Sequence, residues 1–214
     1  MMKSSIQRTE DYVQSFFSGD ASGHDWYHTH RVRNNAVQIA KKEGADGTLC
    51  EYAALLHDVA DDKFHEHEGE GRQTVETYLR EEGIDRETGS QIMEIIETVS
   101  FKGGNNRPPG SLEAEVVQDA DRLEALGAVG VARCFMYAGN KGDAMYLPEE
   151  KADVNRTGKD YRNHRSSAIN HFYEKLLLLK DDMKTISGKE MAEDRHRFLE
   201  VYLQQFFDEW EGSK

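Results

Sequence analysis

An all-α fold is predicted by three features of the sequence. Apolar residues recur at three- and four-residue steps in several segments, no segment sustains the apolar/polar alternation of a strand, and only three prolines occur. Those prolines, Pro108, Pro109 and Pro148, fall in two stretches rich in Gly and Asn, 103–110 and 139–148, which are the expected long loops.

The elements follow in order. Val32, Ala36, Ile39 and Ala40 mark one helical face, and Gly44 is placed to end that helix. Tyr52, Leu55, Leu56 and Val59 mark the next, with Asp46 or Thr48 as its N-cap. Ile92, Ile95, Ile96 and Val99 mark a third. A helix is expected from near Arg165 through His171 and Lys175. Near the end, Phe198, Tyr202, Phe206 and Trp210 form an aromatic stripe at helical spacing, with Val201 and Leu203 nearby. It lacks the basic residues of a base-stacking platform, so core packing is its expected role. With 214 residues and 37% hydrophobic content, the chain can bury one sizeable core and is expected to form a single domain over 1–214.

Composition excludes some functions. A net charge of −13 argues against a nucleic-acid polymer as partner, since such binding rests on many Lys and Arg meeting phosphates. A small anionic substrate remains compatible if local cations or a metal offset the field. The first residues, Met1 to Arg8, lack the apolar stretch of a signal peptide, and Leu176 to Leu179 is far too short to span a bilayer, so no membrane association is expected. Two cysteines, Cys50 and Cys134, do not make a disulfide framework, and reduced thiols in the cytoplasm are expected.

The chemistry concentrates at His57-Asp58, which follow the apolar run Ala53-Ala54-Leu55-Leu56. Two ionisable groups at the end of a buried segment are costly unless paired or metal-bound. With His28 upstream and Asp121 downstream they make a two-His, two-Asp set. Such a set suits one divalent cation of the Mn, Mg, Co, Ni, Fe or Zn kind and leaves positions for water and substrate. Only a fold that brings several helices together would make the four donors converge.

These residues stand in motifs that resemble the HD-domain metal-dependent phosphohydrolases. His28-Thr29-His30-Arg31-Val32 is similar to the family's opening motif, Leu56-His57-Asp58-Val59 to its HD element, and Gln118-Asp119-Ala120-Asp121-Arg122-Leu123 to the segment that holds its last metal ligand. Gly23-His24-Asp25-Trp26, Asp61-Asp62-Lys63-Phe64, Val99 to Gly104, Gly127 to Arg133 and Asn170 to Leu176 resemble the YedJ/YpgQ-like branch, so the likeness runs from about residue 20 to about residue 210. It implies an HD core over about 24–125 with C-terminal helices over about 165–210. It also implies His28, His57, Asp58 and Asp121 as metal ligands, with Mn or Mg favoured. Two-metal members of the family recruit extra histidines between the HD pair and the last Asp; none occurs here between His67 and His164, so a single ion is expected.

Neighbours of the ligands are the remaining candidates. If the His57 helix continues, Asp61 and Asp62 share a face with Asp58 and can serve as catalytic carboxylates that take a proton from water. The resemblance favours Asp61. Lys63 is a phosphate contact or a partner for those acids; Lys102 and Arg122 are phosphate contacts or ordinary surface charges. His24 and Arg31 lie one turn from His28; His24 is a candidate substrate contact, and Arg31 is expected to pair with nearby carboxylates. His171 and Lys175 are further substrate contacts implied by the resemblance. His30, about 200° round the helix from His28, is expected not to ligate, and His65-Glu66-His67-Glu68-Gly69-Glu70 is expected to be a solvated loop. The implied reaction is hydrolysis of a small phosphorylated substrate, a nucleoside triphosphate giving monophosphate and pyrophosphate. A phosphatase acting on nucleoside monophosphates is the alternative enzyme, and a metal- or nucleotide-binding regulatory domain the non-enzymatic one.

Overall fold

The computed structural model describes residues 3–19, 25–99, 107–153 and 166–214. Among these the chain is helical throughout, with no strand, as expected. Contacts divide it into two compact units, Met1–Asp121 and Arg122–Lys214. Among the described residues no helix is long and apolar enough to cross a membrane.

The first unit contains α1 (Ser5–Phe16), α2 (Trp26–Glu43), α3 (Gly47–Leu56), α4 (Glu70–Glu81), α5 (Arg86–Val99) and α6 (Leu112–Arg122), whose last residue opens the second unit. Helix α3 is its centre, packing against α1, α2 and α5. Its sequence explains the position: Tyr52 to Leu56 is apolar all round, and a helix without a polar face must be covered on every side. All five residues are buried. Val32, Ala36 and Ile39 from α2 and Ile92, Ile95 and Ile96 from α5 complete the core.

The caps set the register that the site requires. Asp25 accepts the backbone N–H of His28 and starts α2, and Gly44, at φ 75°, ends it in the left-handed conformation that glycine adopts without penalty. Asp46 accepts from Thr48 and Leu49 and starts α3. Helix α3 then stops at Leu56, so Asp61 and Asp62 do not continue its face. Short acidic side chains here compete for backbone donors: Asp61 accepts from Lys63 N–H and Asp62 from Gly69 N–H. The chain turns instead into one short 3₁₀ segment, Asp62–Phe64, before α4.

The second unit contains α7 (Gly127–Lys141), α8 (Ala168–Glu174), a 3₁₀ segment Leu176–Asp182 and α9 (Ile186–Trp210). Helix α7 runs through Gly139 and Asn140 and ends only at Gly142, φ 70°, so the second expected loop begins later than its composition implied. Helix α8 begins at Ala168, capped by Ser167, and Arg165 lies outside the described residues. Tyr202 of the aromatic stripe stacks on Phe172 and meets Phe135, while Tyr146 packs edge-on against Phe206 and Trp210. The stripe is therefore packed in part; Phe198 and Val201 are exposed. Both cysteines are free, Cys50 buried and Cys134 half-buried, and burial pushes each thiol up to about 12.

Candidate metal centre

Three elements of the first unit bring the candidate ligands together. The first turn of α2 presents His28, the turn after α3 presents His57 and Asp58, and the end of α6 presents Asp121. His28 Nε2 lies 3.4 Å from Asp58 Oδ2 and 3.4 Å from Asp121 Oδ1. His57 Nε2 lies 3.6 Å and 3.8 Å from the same two oxygens. Two donors each about 2.1 Å from a common cation lie about 3.0 Å apart at a right angle and about 3.4 Å apart at the tetrahedral angle. The cluster has that scale, and His28, His57 and Asp58 are able to hold a metal ion.

The tautomer of His57 fits the same purpose. Its Nδ1–H donates to the carbonyl of Ala54 at 2.8 Å, which leaves the Nε2 lone pair facing the carboxylates. That nitrogen is buried and makes no hydrogen bond among the described residues. A buried imidazole nitrogen left bare is costly in an ordinary core and is what a cation requires.

Burial is one-sided. The side chains of His28, His57 and Asp58 are 1%, 5% and 5% exposed, whereas Asp121 is 27% and Lys63 39% exposed, so the cluster has a closed back and an open front. Burial alone would raise the Asp121 carboxyl and Asp58 pushes the same way, but whenever the two imidazoles carry a second proton, the hydrogen bond from His28 and the charges of His57 and His28 outweigh both. The group is held well below the usual carboxylate range. Asp58 is shared: Oδ2 faces the two imidazoles while Oδ1 accepts a 3.0 Å hydrogen bond from Lys63 Nζ. Burial works to lower the Lys63 ammonium, yet Asp58 and Asp61 raise it overall, so the group stays charged at the front of the cluster. Asp61 Oδ2 lies 3.4 Å from Lys63 Nζ.

The other expected site residues have the following surroundings. Asp62 accepts from Gly69 N–H at 2.9 Å and closes the 62–69 loop. His24 and Lys102 lie outside the described residues. Arg122 belongs to the second unit, where its guanidinium donates to the carbonyl of Asp182 at 2.7 Å. His171 and Lys175 belong to that unit too; Lys175 ends α8 rather than continuing it, and burial first, then the Lys175 charge, lowers His171 to about 4. His30 meets Asn34 and the Trp26 ring and is not part of the cluster, as expected.

Two supporting residues were not legible as such. Asn35, two turns along α2 from His28, donates from Nδ2 to the carbonyl of Ala120 at 3.3 Å, beside Asp121. His65 places Nε2 2.8 Å from the carbonyl of Val59, beside Asp58, so the 65–70 run is not simply solvated. Their polar character was visible; the backbone atoms they reach come from the fold.

Comparison with known proteins gives the family. The HD domain family model matches residues 25–126. The uncharacterized protein YpgQ of Bacillus subtilis is 39% identical over 201 residues, covering 93% of this chain and 90% of YpgQ. The crystal structure of YpgQ in complex with ADP superimposes with a TM-score of 0.77 at 39% identity, over 95% of this chain and 97% of that one. An HD-superfamily hydrolase of Bacillus thuringiensis does so with a TM-score of 0.77 at 41% identity, over 96% of each chain. A more distant Bacillus subtilis relative, the symmetrical bis(5'-nucleosyl)-tetraphosphatase, is 28% identical over 117 residues, covering 47% of this chain and 61% of that protein. This chain belongs to the HD-domain superfamily of metal-dependent phosphohydrolases, in the branch that contains YpgQ.

Proposed function

We propose that this chain hydrolyses nucleoside triphosphates to nucleoside monophosphate and pyrophosphate, with water attacking the α-phosphorus. The observation that carries the reading is the convergence of His28, His57 and Asp58 around a buried, bare His57 Nε2 at the closed back of an open cluster. The substrate class is supported by the ADP bound to YpgQ and by a relative named for a nucleotide phosphohydrolase.

In this reading His28, His57, Asp58 and Asp121 hold one divalent cation, manganese or magnesium. Bound there, the cation supplies Lewis acidity toward a phosphate oxygen and lowers the pKa of water. Asp61 is the proton acceptor for the attacking water: Oδ1 accepts the Lys63 backbone N–H, as Asp62 accepts that of Gly69, but its Oδ2 lies 3.4 Å from the Lys63 ammonium, which itself holds Asp58. Lys63 offsets the negative charge that develops on the phosphate chain, since its ammonium is held charged at the open side. The buried imidazoles and Asp58 exclude water from behind.

Chromatographic product analysis tests this. Metal-stripped protein is incubated with a nucleotide panel, alone and with Mn or Mg, beside the Asp58→Ala variant. Metal-restored release of monophosphate and pyrophosphate, absent in the variant, is the expected result. Orthophosphate release would replace the reading by a phosphatase, as would turnover of monophosphates alone.

A further inference from the structure

The turn that carries His57 and Asp58 lies beyond the last residue of α3, where the regular helical ladder ends. Ala60 N–H still reaches Leu56 O at 3.2 Å and Asp61 N–H reaches Asp58 O at 3.1 Å. The carbonyl of Val59, a buried residue, is satisfied by a side chain: His65 Nε2–H donates to it at 2.8 Å. This fixes the backbone one residue past Asp58.

His65 is itself held. Its ring packs on Phe16 at 5.8 Å between centroids. The first turn of α4 comes so close that a Cβ on Gly71 would stand 2.4 Å from the Ala60 carbonyl oxygen and 3.1 Å from His65 Cδ2. Glu70 accepts the N–H groups of Glu66 and His67, and Asp62 accepts that of Gly69, which closes the 62–69 segment around the imidazole. A solvated histidine would need none of these.

We infer that His65 is a positioning residue of the metal centre, holding the Val59 carbonyl so that Asp58 keeps the orientation in which Oδ2 faces His28 and His57 and Oδ1 faces Lys63. The inference rests on the metal-binding reading above. His65 touches neither substrate nor cation; it acts through one backbone oxygen. Residues that orient ligands from outside the coordination sphere typically change metal affinity about 10–100-fold when lost.

The test is Mn²⁺ binding to full-length, metal-stripped protein by titration calorimetry, independent of turnover, with wild type, His65→Leu and His65→Gln. Glutamine places its amide nitrogen near the site of His Nε2 and keeps the donor; leucine keeps bulk without it. His65→Leu is expected to bind Mn²⁺ about 10–100-fold more weakly, and His65→Gln within about threefold of wild type. His65→Asn, too short to reach Val59 O yet still polar, substitutes if His65→Leu does not fold, and the same loss is expected. A donor-less variant that loses thermal stability yet keeps wild-type Mn²⁺ affinity would overturn the inference and leave the metal reading standing. Wild type that binds no divalent cation would overturn both.

Discussion

His57 donates its Nδ1–H to Ala54 O, 2.8 Å away and three residues back in α3, and this bond decides which nitrogen faces the acids. The Nε2 lone pair is left pointing at Asp58 Oδ2 and Asp121 Oδ1, 3.6 Å and 3.8 Å away. The cluster is thus made able to hold a cation by a main-chain contact as much as by its own side chains.

Asp58→Asn removes the charge that faces both imidazoles and Lys63. Mn²⁺ affinity is expected to fall by more than the roughly 100-fold upper range of outer-shell changes. Wild type at 100 times its dissociation constant should gain about 2.7 kcal/mol of stability from the ion, and the variant almost none. Denaturant melts with and without Mn²⁺ measure both.

Lys63→Ala keeps every proposed ligand and removes the ammonium at the front. Nucleotide turnover should fall about 10–1000-fold in kcat/KM, while Mn²⁺ affinity holds or rises because a cation competing for Asp58 Oδ1 is gone. Steady-state kinetics beside calorimetry separates the two. Equal loss of metal binding would assign Lys63 a structural role instead.

Asn35→Ala leaves the buried Ala120 carbonyl without its 3.3 Å donor. An unsatisfied buried polar group costs about 1–3 kcal/mol. Because that carbonyl adjoins Asp121, a drop in metal affinity should accompany the drop in urea midpoint.

His171 is lowered to about 4 by burial and by Lys175, whereas an unfolded histidine titrates near 6.5. Below about 6.5 the unfolded chain takes up a proton that the folded chain refuses until pH 4. The stability associated with neutral His171 is therefore full above 6.5 and is lost as pH falls toward 4. The His171→Gln variant should show a flatter dependence of urea midpoint on pH between those values than wild type.

The helical class and the chemistry of the ligands were determined by the sequence alone. Three- and four-residue apolar spacing does not suit a strand, and no fold hides His57 and Asp58 beyond Leu56 cheaply without a partner. Caps were legible where one side chain serves its own helix, as with Asp46 and Gly44. Helices α1, α4, α6 and α7 are not among those expected from the sequence; in α1 and α4 the apolar residues, such as Val13, Val75 and Leu79, are too sparse to stand out among polar ones. The tertiary structure alone decided what lies between elements: that α3 stops before Asp61, that Asp62 serves a loop, and that Asn35 and His65 end on the carbonyls of Ala120 and Val59. A side chain states what it can donate, but a backbone oxygen is the same at every residue. Which one it meets is set by packing.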